Sequence, residues 1–579
     1  MSTKGAKEGV MKRAIRGALV GSLITVLVLG TLAMTGLAEA KKDRFFTITL
    51  ICPIGNEPRE KAAQIIARDL EKIGIGVNLR YMEFASITPR YKMACKTGAT
   101  FEEGGYDMYL VQSDLSANID PAGIYRRFAC DQVYPNGSNR TRYCNPEFDK
   151  IIYQALATPN DEERWALCRE AMAILYNDLP TIPLWRPAQF YVVRSSVKFP
   201  PDLDLVYWQT YALRWAYRDI PGKTKEDMSL RERTLIYAQP SDIDAFLPGY
   251  SGSSYSDRGV YYLVYDRLIH RLYPSLSRGS EEERRPRPAL AESWDVSEDG
   301  KTWIVHLRKD VTWHDGVPFT ADDVVFTFNL ITNPAAGYGS AKFIKENGIT
   351  WEKLDDYTVK FTCEKFNPLF ASEILDTPIL PAHLLSTVPP EELARSEFNT
   401  GGKVVGTGPW ILEEYKPGEY IKYRANDNYY GGRPWFDYVI IKFIPKAATA
   451  WYAVKTGEVD VAERWYGFTR ELQEVEADPN LYALTEPSFG PQMIRINNDH
   501  PILSNVWVKR AISYACNRQA MVNVISNGLG LVANQHLPPW SPGHNPDLPP
   551  LEYDLNEAKK CLEKAGYDYS TITVEGPTG

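Results

Sequence analysis

PALAESWDVSEDGKTWIVHLRKDVTWHDGVPFTADDVV, residues 288–325, is the stretch from which the fold can be read. Thr302–Leu307 alternates polar or small side chains with apolar ones, the pattern of a half-buried strand. Ser297 to Gly300 supplies a turn ahead of it, and Thr320 with Asp322 and Asp323 supplies a helix N-terminus behind it. Physical chemistry reads this block as a β-rich module carrying one helix. It names no activity.

Working outward, residues 557–565 have the pattern of a helix stopped by Gly566, and residues 571–574 that of a strand. At the front, residues 47–50 read as a strand, Gly55-Asn56 as a turn and residues 59–72 as a helix. Ala62, Ile66, Leu70 and Ile73 share one face of that helix. TITLICPIG (47–55) and TITVEGPTG (571–579) resemble each other position by position. A chain of 579 residues exceeds a single core and implies two or three domains. Net charge is −8 with the basic residues dispersed, which argues against a nucleic-acid partner. Residues 219–232, DIPGKTKEDMSLRE, read as a polar linker opened by Pro221-Gly222.

The wording of AESWDVSEDGKTW followed by HLRKDVTWHDGVPFTADDV closely resembles the extracellular solute-binding proteins of family 5, which feed peptide-type ABC importers. Further blocks carry the same resemblance: TLIYAQPSDIDAFLPGY (234–250), GTGPWILEEYKPGEYIKYRANDNYYGG (406–432), RINNDHPILSNVWVKRAISYACNRQAMVNVI (495–525) and LEYDLNEAKKCLEKAGYD (551–568). These stand in the family order. The blocks that should follow them stand at the front instead, at 56–79, 106–121 and 143–184. The resemblance therefore implies one whole protein of the family, circularly permuted. A truncated tandem copy is the alternative to this reading. Permutation costs little when the joined ends lie together at a surface.

What the resemblance implies is an α/β, two-lobed periplasmic-binding-protein-like fold of the cluster C type with an additional third domain. Residues 41–184 and 501–579 would form the second lobe, and 226–270 with 399–500 the first. Residues 185–225 would cross between them, and 271–398 would be the extra domain. The implied function is capture of di- to oligopeptides in the interlobe cleft by a monomer, and delivery to the importer's membrane subunits. In peptide-binding members an acidic residue shortly before an Asp-Pro step meets the peptide ammonium. Here the step is Asp120-Pro121 and the nearest preceding acid is Asp114. Ala117 holds the usual position of that acid, and Val111 and Gln112 stand where an aromatic is usual. Gln112, Asp114, Asn118 and Asp120 are the candidate ligand contacts on this side, with Ser251, Ser253, Ser254 and Tyr255 of SGSSY on the other. Should Asp114 be a solvated loop carboxylate, an oligosaccharide or other neutral solute stacked on aromatic faces becomes the alternative ligand.

The front carries an export pattern: Lys4, Lys7, Lys12, Arg13 and Arg16, then an uncharged apolar run over 17–37, then Ala38-Glu39-Ala40 before Lys41. Residues 1–40 read as a signal peptide cleaved after Ala40 or as a retained anchor, and place the rest of the protein in the periplasm or outside the cell. Cys130 and Cys144 bracket a loop that a disulfide could close, whereas Cys168, Cys516 and Cys561 fall in apolar helical patterns. No HExxH, CxxC or GxSxG motif occurs, so no metal, cofactor or catalytic residue is expected. A secreted hydrolase would need a nucleophile and base distant in sequence. His314 of the WHDG loop is expected to be structural.

Overall fold

The computed structural model describes residues 44–113, 120–199, 213–251, 256–270, 286–338, 341–400, 402–465, 469–526 and 528–572. The export pattern lies outside these residues. In chain order the principal strands are β1 (Phe46–Pro53), β2 (Ile75–Met82), β3 (Met108–Gln112), β4 (Thr181–Arg186), β5 (Ala188–Arg194) and β6 (Thr234–Gln239). Then come β7 (Ala291–Val296), β8 (Thr302–Leu307), β9 (Thr350–Asp355) and β10 (Thr358–Thr362). The last are β11 (Trp410–Lys416), β12 (Tyr420–Ala425), β13 (Tyr438–Phe443), β14 (Val461–Trp465), β15 (Leu481–Pro487), β16 (Gln492–Ile496) and β17 (Leu531–Val532).

Three sheets organise them. A six-stranded sheet runs β2-β1-β3-β16-β4-β17, a seven-stranded sheet runs β11-β12-β13-β6-β14-β5-β15, and a four-stranded sheet runs β7-β8-β10-β9. This is a mixed α/β molecule with two large sheets, as expected, and the four-stranded sheet is built from the 288–325 stretch and its sequel. Strand β8 falls where the alternation places it. The helix after it, Ala321–Thr332, starts at the expected cap: the Asp323 carboxylate accepts from Thr320 N (3.0 Å). That carboxylate also accepts from Ala382 N (3.0 Å) and from the Trp313 indole (3.2 Å), tying the cap to two further segments.

The six-stranded sheet draws on both the front and the rear of the chain. β1 and β2 pair in parallel along their full length, β1 pairs in parallel with β3, and β16 lies antiparallel between β3 and β4. The sequence reading places residues 492–500 in the first lobe. In the structure Gln492–Ile496 instead joins the six-stranded sheet, because Ile494 and Ile496 are buried against the helices Val506–Ala515 and Leu555–Lys564 that cover it. Helix Glu57–Glu71 covers the same face, with Asn56 accepting from Arg59 N (3.0 Å). Ile48, Leu50, Ile66, Val508, Ile512 and Leu562 thus share one core.

The strand expected over 571–574 is corrected at its start. Thr571 closes a single 3-10 turn, Tyr569–Thr571, because the Asp568 carboxylate caps Ser570 N (2.8 Å). Residues beyond 572 lie outside the described ones. Tyr567 and Tyr569 pack on Phe45 with ring centroids 5.1 and 4.9 Å apart, and the Tyr569 hydroxyl donates to Ile73 O (2.8 Å).

His314 joins two of the quoted blocks. Its Nε2 bonds Gly408 O (2.9 Å) and its Nδ1 accepts from Gly406 N (3.2 Å), which clips the WHDG loop onto GTGPW. Burial holds His314 at about 4, and holds His270 and His536 at about 3. Each is neutral in the fold and gains a proton on unfolding once pH drops below the ordinary value of 6.5. The unfolded state then binds more protons, so stability falls as pH drops from that value toward the folded ones. Each contributes about 1.4 kcal/mol per pH unit within the window, hence about 4 per unit for the three together. Urea unfolding at pH 7 and pH 5 should show this loss, and His314→Gln should make the pH dependence shallower.

Candidate functional site

Two strand pairs connect the large sheets. β4 of the six-stranded sheet runs through Pro187 into β5 of the seven-stranded sheet, and β15 returns through Ser488–Pro491 into β16. The two crossings stay side by side. Ala188 pairs with Pro487, Gln492 pairs with Trp185, and between them Ser488 N donates to Pro187 O (2.8 Å). A two-stranded ribbon of this kind lets two lobes swing while keeping their sheets continuous.

Arg186 fastens the ribbon. Its side chain is fully buried and donates to Phe489 O, Gln535 O (2.9 Å) and His536 O (2.7 Å). No carboxylate balances it among the described residues, and burial pushes the guanidinium down to about 9. Sequence reasoning misses this residue. The available signal is one arginine inside the otherwise apolar strand TIPLWR.

The end of β3 abuts the ribbon. Ser113 N donates to Pro491 O (2.8 Å) and the Gln112 amide to Gly490 O (3.3 Å). Gly490 is needed there, since a Cβ would stand 2.2 Å from Ser113 O. Gln112 and Ser113 therefore stand against the ribbon itself. The described chain resumes at Asp120, whose carboxylate accepts from Ala122 N (2.9 Å) and from Arg164 Nε (2.6 Å), both side chains of the ion pair being buried. Immediately beyond, Arg126 pairs with Glu373 (2.9 Å) and lies over Phe343, 5.1 Å from the ring centroid. Ser113 and Asp120, the described residues on either side of 114–119, thus stand at the ribbon and shortly before the Arg126–Glu373 contact.

Gln112 and Asp120 therefore flank the same segment. Asp114 and Asn118 lie within it, outside the described residues. Ser251 sits on the first-lobe side, where its hydroxyl and that of Ser256 (2.6 Å) both donate to Asp244. Ser253, Ser254 and Tyr255 lie outside the described residues. Cys130 and Cys144 are bonded, with Cα atoms 4.5 Å apart, and close the loop that follows Arg126. Cys168, Cys516 and Cys561 are buried thiols.

In the linker Lys223 pairs with Glu232 (2.6 Å) and the Thr224 hydroxyl donates to Asp227 (2.8 Å). Among the described residues no group of three His, Cys, Asp or Glu side chains could hold a metal ion, and no helix is long and apolar enough to cross a membrane.

The family model for bacterial extracellular solute-binding proteins, family 5 middle, matches residues 285–576, half of the chain. The dipeptide-binding protein of Escherichia coli (strain K12) is 29% identical over 364 residues, covering 59% of this chain and 64% of that protein. The oligopeptide-binding protein AppA of Bacillus subtilis (strain 168) is 32% identical over 309 residues, covering 52% of this chain and 55% of that protein. Among solved structures, NikZ from Campylobacter jejuni in complex with Ni(L-His) has 30% identity and a TM-score of 0.49, covering 60% of this chain and 66% of that one. The chain spans less than two thirds of the length of these relatives.

Proposed function

The chain belongs to the bacterial extracellular solute-binding proteins of family 5, and from that premise we propose that it captures short peptides between its two lobes and delivers them, as a monomer, to the membrane subunits of an ABC importer. The observation that carries this reading is the placement of Ser113 against the ribbon that joins the two large sheets, and of Asp120 just ahead of the Arg126–Glu373 contact. In this reading a ligand held near Gln112 and Asp120 lies beside the ribbon that joins the two large sheets. Closure and binding are then linked. The relatives named above are a dipeptide- and an oligopeptide-binding protein, which supports peptides as the ligand class.

In this reading Asp114 meets the peptide ammonium, Gln112 and Asn118 line the same side, and Ser251, Ser253, Ser254 and Tyr255 offer hydroxyls from the first lobe. Asp120 positions the segment, since its carboxylate is engaged by Arg164 and Ala122. Isothermal titration calorimetry with trialanine and N-acetyl-trialanine tests the assignment. Trialanine is expected to bind, the acetylated peptide poorly, and Asp114→Ala to cost about 2–5 kcal/mol with the free-amine peptide. Equal binding of the two peptides removes Asp114 from the site. Binding of neutral oligosaccharides with neither peptide bound changes the ligand class.

We further propose that the block order is that of a circular permutant. This reading is supported by the shared core of front and rear segments and by the packing of Tyr567 and Tyr569 on Phe45. Deleting residues 44–55 is expected to remove β1 and unfold the second lobe, whereas deleting 573–579 should leave the unfolding midpoint unchanged. Cooperative unfolding of both truncations with the same midpoint contradicts it.

A further inference from the structure

Asparagine stands ahead of glycine at Asn136-Gly137, Asn347-Gly348 and Asn527-Gly528. In this dipeptide the glycine nitrogen can attack the side-chain amide, since no Cβ shields it and its backbone turns freely. Folding permits or prevents the attack according to what holds the two groups. Asn527 lies outside the described residues, and the other two pairs stand in opposite situations. Asn136 is exposed, within the loop closed by Cys130 and Cys144. Its backbone nitrogen donates to Val133 O (3.0 Å), but among the described residues no hydrogen bond engages its carboxamide or the Gly137 nitrogen. The fold needs glycine there, because a Cβ at Gly137 would stand 2.6 Å from Gln132 O. Asn347 is half-buried and held. Its carboxamide donates to Phe343 O (2.8 Å) and accepts from Asn367 (2.6 Å), and Gly348 N donates to Lys345 O (3.3 Å). Those bonds must open before Asn347 can react.

We propose that Asn136 is a site of spontaneous deamidation in the folded protein. Gly137 N gives its proton to hydroxide and bonds to Asn136 Cγ. The Cγ–Nδ2 bond breaks, and the nitrogen takes a proton from water and leaves as ammonia. Water then opens the cyclic imide at either carbonyl, which leaves an aspartyl or an isoaspartyl residue at position 136. Each event adds one negative charge to a chain of net charge −8. The loop is fixed on both sides of the site: Tyr134 N donates to Asn139 O (3.0 Å), Asn139 N to Gln132 O (2.8 Å), and the buried Asn139 carboxamide to Ala129 O (3.1 Å) and Tyr143 O (2.8 Å). The fold therefore does not lean on the side chain at 136. The proposal is independent of the peptide reading above.

The full chain is incubated in mildly alkaline buffer, natively and in denaturing urea, then reduced, digested and mapped by mass spectrometry. In the native chain, acid and isoacid forms are expected to accumulate at position 136 at least about tenfold faster than at 347, because only the second pair must first open. In urea the two rates should come within about threefold of each other, since the protecting bonds are gone. Asn136→Gln supplies the second arm. Its longer side chain closes a larger ring and reacts slowly, so the acidic form that anion exchange resolves from the aged parent should be missing from the aged variant. An intact Asn136 in the native chain, or equal native rates at 136 and 347, overturns the proposal. So does an acidic form that appears in N136Q as fast as in the parent. Should N136Q fail to fold, the native and urea maps of the parent still decide.

Discussion

Replacing Arg186 with methionine is expected to lower stability by about 3–5 kcal/mol and to abolish ligand-induced closure. Methionine fills much of the same volume but donates nothing. Three carbonyls, those of Phe489, Gln535 and His536, then lose their donor inside a fully buried space. Each buried acceptor left unsatisfied costs about 1–3 kcal/mol, offset in part because the guanidinium's own burial penalty also disappears. The depressed proton affinity of Arg186 is the sign of that penalty. Arg186→Lys keeps a donor but cannot reach three carbonyls in a plane, so it should fall between the two. Chemical denaturation gives the stability, and small-angle scattering with and without peptide gives the closure. A methionine variant as stable as the parent and closing normally means that the ribbon does not need its fastener.

Asp120→Ala should cost about 3–5 kcal/mol and weaken peptide binding besides. It strips the carboxylate from a buried pair, leaving Arg164 with Asp161 and the carbonyls of Thr158 and Pro159 (2.9 and 3.0 Å). Those remaining acceptors place the loss toward the low end of the range. It also removes the cap on Ala122 N, so the turn Pro121–Ile124 loses its N-cap. Asp120→Asn separates the effects, because an amide oxygen can still cap Ala122 while the charge is gone. Asparagine is expected to keep more of the binding than alanine while losing similar stability. If both variants bind like the parent, peptide binding does not depend on Asp120.

Local pattern carries much of the fold. Strand Thr302–Leu307, the cap at Thr320 and the helices near 59–72 and 557–565 follow from alternation, a short polar cap residue before an apolar stripe, and a glycine after it. Gly566 at φ +95° is the stop read beyond the last of these helices. The strand read over 571–574 fails at Thr571 because Asp568 and the contact with Ile73 favour a turn over an alternation only a few residues long. What local pattern cannot give is which sheet a strand joins. Gln492–Ile496 and Leu481–Pro487 are neighbours in sequence and belong to different sheets, and only pairing with distant strands decides that. The same limit hides the site. Arg126 and Glu373 are 247 positions apart, and Arg186 meets its acceptors 303 to 350 positions away. The candidate residues near Asp120 are legible through the family resemblance, while the hinge that gives them leverage is not.

The most direct measurement is mass spectrometry of whatever the protein carries when purified under native conditions and then unfolded to release it. The account predicts a mixture of short peptides with free amino termini, because a site that grips ammonium and backbone tolerates many side chains. Oligosaccharides in the released fraction, or processed fragments of a peptide supplied intact, would contradict it.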